Sequence, residues 1–357
     1  MWMSRPGQLV FLFFALPSLY GARLEVEEAT VGSRFSSALA VQLRAESAML
    51  ASIQFDLEYP GDLVAVSVLP GASARNAFKQ VRQNDLSPTT KRVLIMGMNR
   101  TTLEDGPVAV LHASAKQSIG QGKYAFRLVN LIAVDTSGNA VNMDGKNGGI
   151  EVDPAIAATP LSAGGVLNSA SFLPGPVAPG ELVTLLGAGF GESGTEVTFD
   201  DAPAPVLYAG ASQINTIAPV VLGGETRIQV RLGATALASA AVGTAEVAPG
   251  VFSEDASGSG PAVALFDDGS RSSQANPAAP GSVLSIFATG LGQAANITAA
   301  IQGVEAAVLN VETLTGSLSG VAQVRIRIPD GVRGLALPLV IRAGGVPSQT
   351  GITVAVQ

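Results

Sequence analysis

The sequence predicts an all-β chain made of successive β-sandwiches, and three observations carry that reading. Residues 52–59 alternate without a break, with Ile53, Phe55, Leu57 and Tyr59 on one side and Ser52, Gln54, Asp56 and Glu58 on the other. That is the period of a strand with one buried and one solvated face. Turn signals such as Pro60-Gly61-Asp62, Asp135-Thr136-Ser137-Gly138-Asn139 and Asp267-Asp268-Gly269 separate short apolar runs, and the chain holds 41 Gly and 21 Pro. Strands at such close spacing suit antiparallel sandwiches better than α/β units. The third observation is an internal echo. Ala178 to Gly191 (APGELVTLLGAGFG) is answered by Ala279 to Gly292 (APGSVLSIFATGLG), and Gln213-Ile214-Asn215 by Gln323-Val324-Arg325, each Gln being followed by a Pro six residues on. Two tandem units of one kind account for the echo.

At the N-terminus, Arg5 precedes the apolar run Leu9 to Leu16, then Pro17, Ser18 and the small pair Gly21-Ala22. This is the order of a secretory leader, predicting export and cleavage near Gly21 or Ala22; the run is too short to span a bilayer. The same two-residue period marks strands at 108–115, 195–199, 227–232 and 324–328, where Arg325 and Arg327 oppose Val324, Ile326 and Ile328. Between Ala74 and Arg82, the spacing of Ala77, Phe78 and Val81 suits either a short helix or a long loop. Charge shifts along the chain: residues 23–153 carry 13 basic and 14 acidic side chains, residues 154–357 carry 7 and 14. The Pro/Gly/Ala-rich stretch at the change predicts a linker. The expected division is a leader at 1–22, a first sandwich at 23–153, a linker at 154–163, and two further sandwiches at 164–248 and 249–357.

Composition excludes several chemistries. The chain is 47% hydrophobic and 14% charged, so it can bury several cores, and its net charge of −7 with no basic run argues against nucleic acid. With no Cys, thiol catalysis and disulfides are excluded. His112 is the only histidine, so zinc sites needing two imidazoles are excluded, and it reads as an ordinary strand-face residue. Gly187, Gly189 and Gly191 mimic a phosphate loop, but a strand follows where a helix is needed. The carboxylate pairs Asp200-Asp201, Glu254-Asp255 and Asp267-Asp268 sit in turns and read as solvated. No catalytic residue, metal or cofactor is predicted. Trp2 falls in the leader, leaving Tyr59, Tyr124 and Tyr208 with the Phe residues as the aromatics for a flat glycan platform.

Two resemblances sharpen the picture. The opening Val31-Gly32-Ser33, the strand Ile53 to Tyr59, Lys91 to Met96, Leu103 to Ala109, Ala133 to Val141 and the closing Gly149 to Val152 together resemble a cohesin domain over roughly Leu24 to Asp153, with Pro60-Gly61-Asp62 departing from the usual Asp-Pro. From Gly164 to Gln357 the chain is similar to the Ig-like C-terminal region of secreted soil-bacterial proteins, itself similar to IPT/TIG sandwiches. The residues that carry this likeness are Leu167 to Phe172, Ala178-Pro179-Gly180, Ala202 to Tyr208, Pro249 to Phe252, Asn276-Pro277 and Ala288 to Gly292. The implied fold is a cohesin-like jelly-roll β-sandwich followed by two tandem Ig-like β-sandwiches.

In cohesins a sheet face that includes the strand aligned with 52–59 receives a dockerin. The resemblance therefore implies partner binding through Ser52, Gln54, Asp56 and Glu58, with Lys91 and Arg92, and also Arg100, supplying charge for an acidic partner. The function expected is a secreted or cell-surface binding or scaffolding protein for another extracellular protein, dockerin-bearing partners included. A carbohydrate-binding component of polysaccharide breakdown and a structural spacer stand as alternatives.

Overall fold

In the computed structural model, residues 21–191, 194–314 and 319–357 are described. The leader expected at 1–22 therefore lies outside the described residues, except for Gly21 and Ala22; Ala22 is fully buried and begins the first strand.

The head is a two-layer sandwich. Its strands are β1 (Ala22–Val26), β2 (Glu28–Val31), β3 (Ser36–Arg44), β4 (Leu50–Glu58), β5 (Val64–Pro70), β6 (Gln80–Ser87), β7 (Thr90–Met96), β8 (Gly106–Ala115), β9 (Gly122–Asp135), β10 (Ala140–Val141), β11 (Met143–Lys146) and β12 (Gly148–Val152). One sheet runs β11-β1-β3-β8-β5 and the other β2-β12-β9-β4-β7-β6, with β10 added to β9. The chain's first segment is split between the sheets, β1 pairing with β11 and β2 with β12, both in parallel. Ile53, Phe55 and Leu57 of β4 and Val93 and Ile95 of β7 fill the core between the layers, as two-residue alternation requires.

The ambiguous stretch at 74–82 resolves into a five-residue helix, α1 (Ala72–Asn76), and then the start of β6. Phe78 adopts a positive φ of 54° between them, which stops the helix. β6 escapes a periodicity reading because it is an edge strand with four consecutive exposed polar residues, Arg82 to Asp85.

The two later units share a pairing scheme but close differently. In the second, Leu182–Leu186 pairs with Gln213–Ile217 in one four-stranded sheet, while Thr195–Phe199 pairs with Glu225–Leu232 in another. Short strands Ala202–Ala204 and Val206–Ala209 belong to different sheets, separated by Pro205, which has no N–H to continue a ladder. In the third unit the matching segment is one strand, Val304–Thr313. Its first part pairs with Ile297–Ile301 and its second with Ala322–Arg327, so that a single sheet folds over the core.

The stretch expected to be a linker is held by the units on either side of it. Ser36 N–H donates to the Thr159 carbonyl at 2.8 Å, Ala188 N–H to the Pro160 carbonyl at 2.7 Å, and Leu161 is buried in the second core. Loop composition describes what the backbone can do, and these pairings show what it is made to do. The third unit also touches the head: Ser259 Oγ donates to the Lys79 carbonyl at 3.2 Å, and Arg82 faces Asp255.

Candidate functional site

The outward face of the β9-β4-β7-β6 sheet can be mapped row by row from strand register. Ile132, Gln54, Leu94 and Arg82 form one row across the four strands; Val129, Asp56, Arg92 and Asn84 form the next. Ser52 lies opposite Val134, Met96 opposite Gln80, and Glu58 opposite both Thr90 and Arg127. Ser52, Gln54 and Glu58 are half-buried and open to this face, as the alternation predicts.

Asp56 and Lys91 depart from the expectation. Asp56 points to the outward side but is only 2% exposed, because its neighbours cover it. Arg92 donates to both carboxylate oxygens, Nε to Oδ1 at 2.7 Å and Nη2 to Oδ2 at 2.8 Å. Asn130 Nδ2 adds a third bond at 2.8 Å, reached through a β-bulge where Asn130 takes φ 52°. The Arg92 hydrogen bonds hold the Asp56 carboxyl below the usual carboxylate range against the opposing effect of burial, with Asn130 helping. Asp56 is therefore a brace for Arg92, whose side chain stays 43% exposed on the face.

Lys91 is in register with Leu57, on the core side of the sheet, and pairs with Asp85 directly across on β6. Strand register places it away from Gln54 and Arg92, so it does not belong to the outward face. Arg100 is exposed in the segment after β7.

The sequence reading missed the apolar half of this face. Leu94 is half-buried, Met96 is 38% exposed and Ile132 is 51% exposed. The signal was available: Val93-Leu94-Ile95-Met96 is apolar at every position, so a strand there must show apolar side chains on both faces. Contiguous exposed apolar groups are a feature that protein interaction sites share.

Several of the residues weighed for catalysis have structural partners. His112 is buried, with Nε2 3.3 Å from Ser36 Oγ, and burial pulls its pKa down to about 4. Asp200 accepts the Arg227 N–H, Asp267 pairs with Arg325 at 2.6 Å, and Asp268 accepts from Ser270. Asp255 Oδ1 accepts the Ser257 N–H. No group of three or more metal-ligating side chains occurs among the described residues. In the Asn99-Arg100-Thr101 sequon, Asn99 is engaged by Lys79 Nζ and by the Phe78 carbonyl. Of the tyrosines, Tyr59 stacks internally on Phe126 and the Tyr124 hydroxyl donates to the Gly120 carbonyl, while Tyr208 is exposed on the second unit.

Residues 22–152 match the cohesin domain family and residues 166–244 the IPT/TIG domain family. Similar solved structures include the sixth cohesin of scaffoldin B from Acetivibrio cellulolyticus, in complex with a mutant Cel5 dockerin. It has 18% identity and a TM-score of 0.35, covering 38% of this chain and 100% of that one. A non-cellulosomal cohesin from the hyperthermophilic archaeon Archaeoglobus fulgidus has 19% identity and a TM-score of 0.33, covering 38% and 92%. CaCohA2 from Clostridium acetobutylicum has 19% identity and a TM-score of 0.33, covering 37% and 90%. No curated protein matches the chain. The chain thus carries a cohesin domain, followed by an IPT/TIG domain in its second half.

Proposed function

We propose that this is an exported, non-catalytic binding or scaffolding protein whose head takes a second extracellular protein on the outward β9-β4-β7-β6 face. Dockerin-bearing proteins are the partner class that the cohesin match points to. The observation that carries the reading is the open row Ile132, Gln54, Leu94 and Arg82, with Met96 beside it: apolar groups interleaved with an amide and a guanidinium group. Ser52, Gln54 and Glu58 contribute hydrogen-bonding groups, and Arg92 is preset by Asp56 to meet an acidic or carbonyl group. Such a mixture of apolar and hydrogen-bonding groups is what protein interfaces use.

The test is a pull-down from the source organism's secretome on the immobilised full chain, with calcium and again with chelator, alongside the Leu94→Arg variant. A dockerin-bearing protein held by the wild type only with calcium, and lost at least about 100-fold by Leu94→Arg, is the expected result. Equal retention by wild type and variant overturns the reading, as does retention of nothing; in either case glycan arrays become the next measurement.

A further inference from the structure

The proposed docking face is not open on all sides. Its β6 edge runs beside the third unit, and the seam between them holds two clefts that share Arg82. One, of about 630 Å³, brings Arg92, Leu94 and Asn84 together with Asp255 and Ser257. The other, of about 450 Å³, brings Gln80 and Met96 together with Glu254 and the segment Ser273 to Ala275. Leu94, Met96, Arg82 and Arg92 are thus at once residues of the outward sheet face and residues of clefts walled by the third unit, with Phe172 and Gln213 of the second unit also lining the larger one.

The chemistry of that wall is specific. Glu254 is exposed, and Asp255 has a buried Oδ2 without a hydrogen-bond partner. Its facing cation, Arg82 Nη2, stands 3.9 Å away, outside hydrogen-bond range, and the Arg82 side chain is more than half exposed. Asp255 therefore adds negative charge to the wall beside Glu254 that no hydrogen bond to its Oδ2 offsets.

We infer that the docking surface is a walled groove between the head and the third unit, with its floor on the head at Leu94 and Met96 and an acidic wall on the third unit at Glu254 and Asp255. This rests on the head's outward face being the partner-binding face. The occupant that fits is a protein segment with an apolar stripe for the floor and a basic side chain on the edge turned to the wall, where its ammonium or guanidinium group meets the exposed Glu254 carboxylate beside Asp255. The third unit is then part of the recognition surface rather than a spacer behind the head.

The experiment uses the full chain as wild type and as Leu94→Arg, Glu254→Lys and Asp255→Asn, with the secretome as probe and each retained protein quantified on every column. Glu254 is exposed and Glu254→Lys leaves the fold intact, which a melting curve confirms. The expected result is loss of retention with Leu94→Arg and about tenfold weaker retention of the same protein with Glu254→Lys and with Asp255→Asn. Loss with Leu94→Arg but unchanged retention with both wall variants overturns the shared groove and leaves the docking face standing. Unchanged retention with Leu94→Arg, or retention of nothing, removes the docking face and the groove with it.

Discussion

Lowering the pH from 7 to 4 tests the junction between the head and the second unit through one side chain, His112. Ser36 Oγ donates its proton to the Leu186 carbonyl at 3.0 Å, so the same oxygen is left to accept from His112 Nε2–H at 3.3 Å. The imidazole is therefore the neutral tautomer protonated at Nε2. A second proton would charge a ring that is 4% exposed, and burial lowers its pKa from 6.5 to about 4. The unfolded chain binds that proton from pH 6.5 downward while the folded chain refuses it. Stability from this group is complete above pH 6.5 and is lost as pH falls through about 4. The displacement is worth about 3 kcal/mol.

Because His112 is the only histidine, a tag-free sample gives one imidazole C2–H signal, whose NMR titration reads this site alone. Denaturant unfolding of wild type and His112→Gln across the same range then isolates the energetic part. The variant should gain about 3 kcal/mol on wild type between pH 7 and pH 4. The comparison is needed because Glu181 opposes the trend. Burial raises its carboxyl to about 8, against a hydrogen bond from the Ala178 N–H, so its contribution is complete below 4.5 and is lost as pH rises through about 8. A His112 midpoint at 6 or above, or a wild-type–variant difference that stays flat, would refute the argument.

Gly165→Ala places a Cβ 2.3 Å from the Leu186 carbonyl and 3.3 Å from both His112 Nε2 and Ser36 Oγ, so it should push apart the same junction. We expect a loss of about 1–3 kcal/mol by denaturant unfolding, with the His112 signal moving toward the value of a solvated imidazole. Asp56→Asn removes the charge that Arg92 and Asn130 share. It should lower the melting temperature by about 2–6 °C at pH 7 and by less at pH 3, because the depressed Asp56 pKa makes its contribution complete above 3.8 and lost as pH falls through the lower folded value.

How far the sequence could be read depends on what each inference needed. The strand containing 52–59 was legible because alternation is a local property, and Leu50–Glu58 shows the expected sides for Ser52, Gln54 and Glu58. β6 was not legible, since an exposed edge strand has no apolar face to reveal its period.

The sequence by itself determined the all-β character, the likeness to a cohesin followed by an IPT/TIG unit, and the side of the sheet on which each strand residue lies. The tertiary structure decided what stands over those side chains. Asp56 is covered by Arg92, 36 residues away, and Asn130, 74 residues away; buried His112 meets Ser36, which in turn binds the Leu186 carbonyl; Lys91 lies with Leu57 because of strand register. A period of two fixes direction along one strand, but burial, charge pairing and pKa depend on neighbours that only folding brings into contact.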